Sequence, residues 1–208
     1  GVGRVSRLLL CLGLLCALLV CDTGAAAQEM TVTVLFTNDL HSRFLPQTAD
    51  DGGELGGYAR LMTALQAERQ RSPDALTLDA GDFSVGSLIQ TLYTTKAPEL
   101  VTMGAMGYDA TTAGNHEFDH GLGGFAEMLD AAKDSGQRLP ALLMANYTPG
   151  RDQPEREAAL RAMSRYGVTE TVIIRRGGVA YGIFGVMGGE SDRCAPVAGF
   201  ELEAHADW

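Results

Sequence analysis

Hydrophobic and polar positions along the chain follow two periods, one typical of β-strands and one typical of α-helices. Short apolar or β-branched runs predict strands, and apolar positions at helical spacing predict helices between them. The predicted strands are TVTVLF (31–36), DALTLDAGD (74–82), YDATT (108–112) and ALLMANY (141–147). The predicted helices are GYARLMTALQAERQR (57–71), PELVTMGAMG (98–107) and GLGGFAEMLDAAKDSG (121–136).

Two of these helices have one apolar face each, and the third has recognisable ends. The faces comprise Tyr58, Leu61, Met62 and Leu65, and then Leu122, Phe125, Leu129 and Ala132. Pro98 opens the short helix, and a glycine closes it. Residues 170–188 predict a hairpin that turns at Gly177 and Gly178. The charged segment 148–167 predicts an exposed helical excursion, and strands alternating with helices predict an α/β layered domain.

The first residues have the pattern of a secretory signal peptide. Arg4 and Arg7 precede an apolar run (8–21) that is too short to span a bilayer comfortably, and Ala25 and Ala27 form an A-x-A cleavage site. We therefore expect a signal peptide at 1–27 and export to the periplasm or the extracellular space. No stable membrane insertion is expected once the leader is cleaved.

Two cysteines bear on the processed chain. Cys21 is an alternative, lipidated N-terminus, which Val20 directly before it disfavours. Cys194 is the one cysteine beyond the leader, so no internal disulfide is expected.

The chain is acidic, with a formal net charge of −10. That charge disfavours binding to nucleic acid polymers or to anionic membranes. An anionic small-molecule substrate would have to be attracted by something other than net charge, and bound metal cations are the obvious candidate.

Three polar clusters follow predicted strands: TNDLH after the first, AGDFS after the second and AGNHEFD after YDATT. Catalytic groups of α/β sheets collect at the carboxyl ends of strands. Asp39 and His41 are two residues apart, so in extended backbone they would point the same way. Asp82 follows a glycine that lets backbone come close, and Asn115 and His116 add an amide oxygen and an imidazole. Such nitrogen and oxygen donors suit zinc, manganese or a similar ion.

In this order, DLH, GD and GNHEFD resemble the motifs of the calcineurin-like metallophosphoesterases, and GNHEFD resembles their 5'-nucleotidase and UDP-sugar hydrolase branch. Further similar strings are GGYARL (56–61), LTLDAGDFSVGS (76–87) and GVAYGIFGV (178–186). The resemblance implies a layered α/β-β/α sandwich. Residues 28–208 would form the N-terminal portion of its catalytic domain, incomplete at the C-terminal side and without the C-terminal substrate-binding domain.

The resemblance also implies residue roles around two divalent ions. Asp39 and His41 would hold the first ion, Asp82 would bridge both ions, and Asn115 would bind the second ion and the phosphate. His116 would stabilise the charge on the phosphoryl and leaving-group oxygens, and Asp119 would orient His116. Metal-activated water would then hydrolyse a small nucleotide without a side-chain nucleophile. Glu117 and His120 have no metal role in the family pattern, and Asp79 and Asp109 are expected to be structural.

The family pattern includes two further histidines, in LxH and in GHTH or GHSQ, which this sequence lacks. His205, in ELEAHADW, stands in the wrong context. We therefore expect the chain to be an N-terminal part of a longer enzyme, to hold metals weakly and to have little activity alone.

Two alternatives to a 5'-nucleotidase remain. A 2',3'-cyclic nucleotide phosphodiesterase of the same superfamily is one, although relatives of that kind often have Asn at the position of Asp119. The other is a noncatalytic binding module, against which the four intact metal positions argue. The oligomeric state and the preferred nucleotide are left open.

Overall fold

A computed structural model of the chain describes residues 30–191 and 199–202. The predicted signal peptide and several single positions lie outside the described residues: Cys21, Cys194 and His205. Within the described part of the chain, the helices are all too short or too polar to cross a membrane.

The described residues form ten strands and five α-helices. The strands are β1 (Val34–Thr37), β2 (Gln47–Thr48), β3 (Glu54–Leu55), β4 (Leu76–Asp79), β5 (Ala110–Thr112), β6 (Ala141–Leu143), β7 (Tyr147–Pro149), β8 (Thr171–Arg176), β9 (Val179–Phe184) and β10 (Phe200–Leu202). The helices are α1 (Tyr58–Arg71), α2 (Tyr93–Lys96), α3 (Pro98–Met106), α4 (Gly121–Asp134) and α5 (Arg156–Tyr166). Single 3₁₀ turns lie at Leu88–Leu92 and His116–Phe118.

The central sheet is parallel, with its strands in the order β1-β4-β5-β6. Its strands alternate with helices along the chain, so the α/β fold predicted from the sequence is confirmed. Strands β8 and β9 form the predicted hairpin, with Gly177 and Gly178 at positive φ in the turn. Because neighbouring parallel strands end at the same edge, the loops after β1, β4 and β5 meet there.

The helix faces predicted from apolar spacing are the faces that the core contains. Tyr58 and Leu65 of α1 are buried, and Leu61 and Met62 pack against the core. On α4 the four predicted apolar residues are all buried. Pro98 begins α3, and Gly107 ends it with a φ of 84°. Hydrophobic burial on one stripe of each helix therefore explains where the helices pack.

The segment 148–167 is not an exposed excursion. Its helix α5 packs on α4, and Ala159, Ala162 and Tyr166 on that side are buried. The Tyr166 hydroxyl donates a hydrogen bond to the Pro140 carbonyl oxygen at 2.8 Å. At the edge of this contact the Arg165 guanidinium pairs with Asp130 and Asp134 of α4, so charged residues of the segment also join the two helices.

The predicted strand 141–147 is two strands. β6 ends at Leu143, and β7 begins at Tyr147 and pairs with β10 in a separate antiparallel ribbon. Local apolar composition does not show this break, because the partner strand β10 lies in a distant part of the sequence.

One ion pair holds the β8–β9 hairpin to the central sheet. The Arg176 guanidinium donates from Nη1 to Asp109 Oδ2 at 2.8 Å and from Nη2 to Asp109 Oδ1 at 2.7 Å. Asp109 also accepts the Thr77 backbone N–H at 2.9 Å, and its side chain is 7% exposed. Asp109 therefore has the structural role that the sequence predicts.

Replacing Arg176 by Ala should leave the buried Asp109 carboxylate with the more distant Arg138 guanidinium, whose Nη2 lies 3.9 Å from Asp109 Oδ1, as its remaining cation among the described residues. We expect the unfolding free energy to fall by about 2 kcal/mol. This loss is smaller than the loss on breaking a fully buried ion pair, because Arg176 is partly exposed. Urea denaturation of the 208-residue chain would measure it. The matched control is Arg175→Ala, an exposed position on the same strand, and equal stabilities of the two variants would contradict the prediction.

Candidate metal centre

The loops after three neighbouring strands carry the predicted site residues. Asp39 and His41 follow β1, Asp82 follows β4, and Asn115 follows β5. The prediction that the polar clusters lie at the carboxyl ends of adjacent parallel strands is confirmed. Side chains far apart in sequence are thereby brought to one edge of the sheet.

His41, Asp82 and His116 lie close enough together to share one ion. One ligand atom from each lies within 4.8 Å of the others. The two imidazole rings meet edge to face, with centroids 5.0 Å apart. Asp39 lies beside this group, with its Oδ1 3.6 Å from His41 Nε2. Asn115 directly precedes His116 at the start of a 3₁₀ turn.

The hydrogen bonds of His41 fix which ring nitrogen is free. Nδ1 lies 2.9 Å from the Val85 carbonyl oxygen and 3.2 Å from that of Ser84. A carbonyl oxygen only accepts, so Nδ1 carries the proton and Nε2 keeps its lone pair. This arrangement is common for metal-binding histidines. The imidazole and carboxylate donors of the site therefore fit a divalent ion.

His116 is paired with Asp119, as the sequence analysis predicts. His116 Nδ1 lies 2.9 Å from Asp119 Oδ2. Burial lowers the pKa of the imidazole, but the hydrogen bond and charge of Asp119 outweigh it, and Asp82 adds to them. The net result is a pKa above the ordinary value of histidine, so His116 holds a proton more readily than a free imidazole does.

The expectation of extended backbone at Asp39 and His41 is wrong. Both have left-handed backbone, with φ of 52° and 47°, and Ser42 follows at 50°. Such conformations cost roughly 1 to 2 kcal/mol per residue.

Backbone hydrogen bonds between the loops after β1 and β4 impose these left-handed conformations. The Asp39 N–H donates to the Gly81 carbonyl at 3.0 Å, and the His41 N–H donates to the Asp82 carbonyl at 3.0 Å. The two loops are thereby joined residue by residue. This register brings the side chains of Asp39, His41 and Asp82 to the same edge.

Two glycines allow the loops to approach closely, as expected for the glycine before Asp82. A Cβ added to Gly81, whose φ is +93°, would lie 2.6 Å from the Gly114 backbone nitrogen. A Cβ at Gly114 would lie 2.2 Å from Asp82 Oδ1. Any side chain at either position would separate the Asp82 loop from the Asn115 loop.

Glu117 joins the same loops from inside, a role that the sequence analysis does not predict. Its side chain is fully buried. Oε1 accepts the N–H and the hydroxyl of Ser84 at 2.9 and 2.8 Å, and Oε2 accepts the N–H groups of Asp82 and Gly114 at 2.9 and 2.6 Å. Burial raises the pKa of Glu117 to about 7, although the Ser84 and Gly114 donors lower it. Sequence reasoning missed Glu117 because glutamate is rarely buried.

Asp79 is buried at the end of β4 and has the structural role that the sequence predicts. It accepts the hydroxyls of Thr37 and Thr111 at 2.6 and 2.8 Å, and the Gly81 N–H at 3.0 Å. Burial raises the pKa of Asp79 from 3.8 to about 6, against the lowering influence of these donors.

This pKa predicts a pH-dependent contribution to stability. Between 3.8 and about 6 the folded state holds a proton on Asp79 that the unfolded chain has released. The stabilisation is therefore fully present at pH values below the pKa of Asp79 in the unfolded chain. It is lost as the pH rises through the pKa of Asp79 in the folded protein. We expect the unfolding free energy of the wild type, relative to Asp79→Asn, to fall by about 3 kcal/mol across that window. Denaturation series at several pH values would show it, and parallel pH profiles for the two proteins would disprove it.

Comparison with known proteins gives the family of the chain. The profile of the calcineurin-like phosphoesterases matches residues 32–153. The 5'-nucleotidase of Mus musculus is 44% identical over 112 residues, which cover 50% of this chain and 19% of that protein. The probable 5'-nucleotidase of Treponema pallidum is 33% identical over 185 residues, covering 85% of this chain and 28% of that protein.

A solved structure shows the same fold. The chain is similar to the 5'-nucleotidase precursor of Thermus thermophilus, with a TM-score of 0.60 and 27% identity over 78% of this chain and 29% of that one. The chain therefore spans less than a third of the length of each relative described here. The polypeptide belongs to the calcineurin-like phosphoesterase family, a family whose members use divalent metal ions.

Proposed function

We propose that the intact protein is a 5'-nucleotidase-like hydrolase that cleaves the phosphoester bond of nucleoside 5'-monophosphates, or acts on UDP-sugars. The observation that carries this proposal is the convergence of His41, Asp82 and His116 within 4.8 Å, beside Asp39 and Asn115. The names of the relatives favour a nucleotidase over a 2',3'-cyclic nucleotide phosphodiesterase. A noncatalytic module has no comparable support.

Four side chains would hold two divalent ions, zinc, manganese or similar. Asp39 and His41 would bind one ion, Asp82 would bridge, and Asn115 would bind the other. When bound, the ions would lower the pKa of a water and neutralise charge on the phosphate. The protein contributes the geometry, because His41 is fixed in one tautomer, the Asp82 carboxylate accepts the His116 N–H, and the Asp82 N–H donates to the Glu117 carboxylate.

His116 and Asn115 would contact the substrate. Because Asp119 occupies His116 Nδ1, the other ring nitrogen is left to face the phosphate. A proton there would stabilise the charge that develops on phosphoryl and leaving-group oxygens. Asp119 would keep the imidazole in this orientation throughout the reaction.

The proposal concerns the intact protein. We expect the 208-residue chain alone to turn over little substrate, because the two further histidines of the family pattern are not in its sequence. We also propose export to the periplasm or the extracellular space, with a small-molecule nucleotide as the partner rather than a nucleic acid polymer.

The test is an assay of the intact protein with AMP, UDP-glucose and 2',3'-cyclic AMP, in the presence of Mn²⁺ and of a chelator. We expect metal-dependent release of phosphate from AMP that the chelator abolishes. His120→Gln is the control, since His120 lies against Tyr93 and has no proposed role in the reaction. Hydrolysis of the cyclic substrate alone would replace the nucleotidase by the phosphodiesterase. No hydrolysis of any of the three would overturn the proposal.

A further inference from the structure

Another buried carboxylate, that of Glu99, contacts the loop after β1. Glu99, in the first turn of α3, is 1% exposed, yet it has no place in the proposed chemistry. Its Oε1 accepts the hydroxyl of Ser42 at 2.6 Å, with both side chains buried. A buried carboxylate is costly unless it is hydrogen-bonded, and because Glu99 Oε2 is buried without a hydrogen-bond partner among the described residues, the Ser42 hydroxyl is the side-chain donor on which this group depends.

Ser42 is the residue directly after His41, and it is held from several sides. Its N–H donates to the Phe83 carbonyl at 2.9 Å, and its own carbonyl accepts the Ser87 hydroxyl at 2.6 Å. Ser42 is fully buried with a φ of 50°. A serine seldom adopts this conformation without external contacts, and the Glu99 bond fixes its side chain within it.

The position of His41 depends on the backbone that Ser42 fixes. His41 has left-handed backbone itself, and its Nδ1 must reach the Val85 carbonyl for Nε2 to face Asp39 and Asp82. If Ser42 loses its partner on α3, the backbone hydrogen bonds to Asp82 and Phe83 remain, but the strained left-handed peptide between the two residues loses one of the contacts that hold it. The imidazole would then be held less firmly against its carbonyl.

We propose that Glu99 is a positioning residue for His41, acting through the hydroxyl of Ser42. The proposal rests on the proposed function, since it treats His41 as a metal ligand. Helix α3 contributes no ligand under this proposal. It holds the loop after β1 in the conformation that binds metal. The carboxylate contacts neither metal nor substrate.

Four variants of the intact protein test this role: three single variants and the double variant Glu99→Ala/Ser42→Ala. Glu99→Ala and Ser42→Ala each remove the hydrogen bond, whereas Glu99→Gln keeps an acceptor oxygen at the same distance from the backbone. Two measurements are made on each folded protein: Mn²⁺ affinity by calorimetry, and amide hydrogen exchange of His41 and Ser42 by NMR. Glu127→Ala, an exposed glutamate on α4, is the control.

We expect Glu99→Ala and Ser42→Ala to speed exchange at His41 and to weaken Mn²⁺ binding about 10-fold, the lower end of the losses for direct partners of metal ligands, because both side chains act one contact further away. The double variant should be no worse than either single variant, because both remove one bond. Glu99→Gln should retain wild-type exchange and affinity within about 2-fold. A general packing defect would instead lower stability without a selective effect at His41.

Unchanged exchange at His41 and unchanged Mn²⁺ affinity in Ser42→Ala would overturn the proposal. Additive losses in the double variant would do the same. If Glu99→Ala fails to fold, Ser42→Ala and Glu99→Gln still test the proposal. Ser42→Ala lacks the hydrogen bond between positions 42 and 99, whereas Glu99→Gln keeps it. The exchange measurement needs no nucleotide and no metal. A failure of the intact protein to hydrolyse AMP would therefore contradict the proposed function without changing what the exchange at His41 shows about Glu99.

Discussion

Replacing Asp82 by Ala is expected to weaken Mn²⁺ binding by about 100-fold or more, because losing the hydrogen-bond partner of a metal ligand already costs up to about 100-fold. Asp82 lies in one donor group with His41 and His116 and is the ligand proposed to bridge two ions. Its Oδ1 also accepts the His116 N–H at 3.0 Å. The Ala substitution therefore removes a proposed metal ligand and also removes the acceptor of the His116 N–H. Calorimetric titration of the intact protein with Mn²⁺ would measure the change.

Asp82→Asn separates these two contributions. Asn keeps an oxygen that accepts the His116 N–H but lacks the negative charge that a bridging ligand supplies. We expect it to lose most of the affinity that Ala loses, while Asp51→Ala, in the exposed loop between β2 and β3, should bind like the wild type. Wild-type affinity in both Asp82 variants would mean that the cluster does not hold metal.

Replacing Glu117 by Ala is expected to lower the unfolding free energy by about 4 kcal/mol. The change leaves four donors from Asp82, Ser84 and Gly114 without their acceptor in a site that water does not reach easily. Each unsatisfied buried donor costs about 1 to 3 kcal/mol, and some of them will be resolvated by relaxation of the loops. Chemical denaturation followed by circular dichroism, above neutral pH where the carboxylate is charged, is the measurement.

Glu127→Ala is again the matched control, and Glu117→Gln tests whether the donors are the cause. The Gln amide group would place its N–H atoms against N–H donors on one side of the carboxylate. Gln should therefore be destabilised as well, although less than Ala. A loss below about 1 kcal/mol in Glu117→Ala would show that the loops do not depend on this side chain.

Sequence patterns identified the elements whose apolar residues are close in the chain. The faces of α1 and α4 follow from spacing alone, and Pro98 and Gly107 mark α3 because each has a backbone preference of its own. The split of 141–147 was not predictable, since pairing with β10 decides it. The burial of one side of α5 was missed because its alanines contribute little to an amphipathic pattern.

The candidate site likewise has features that the sequence indicated and features that only the structure shows. The sequence indicated Asp39, His41, Asp82, Asn115, His116 and Asp119 because ligating side chains directly after strands are a local signal. The extended backbone expected for Asp39 and His41 was wrong, since hydrogen bonds to the loop after β4 impose positive φ there. No local signal pointed to Glu117 or Glu99, because their partners Ser84 and Ser42 lie far from them in the sequence.

The sequence by itself therefore indicated the candidate site residues, and it determined the fold class, because residue type and spacing are properties of neighbouring positions. Only the tertiary structure decided how those residues meet. Parallel pairing of β1, β4 and β5 brings their loops together, and close glycine contacts set the separation of these loops. Backbone hydrogen bonds between the loops after β1 and β4 then hold Asp39 and His41 in left-handed backbone, and the buried Glu117 carboxylate joins the Asp82 loop to Gly114.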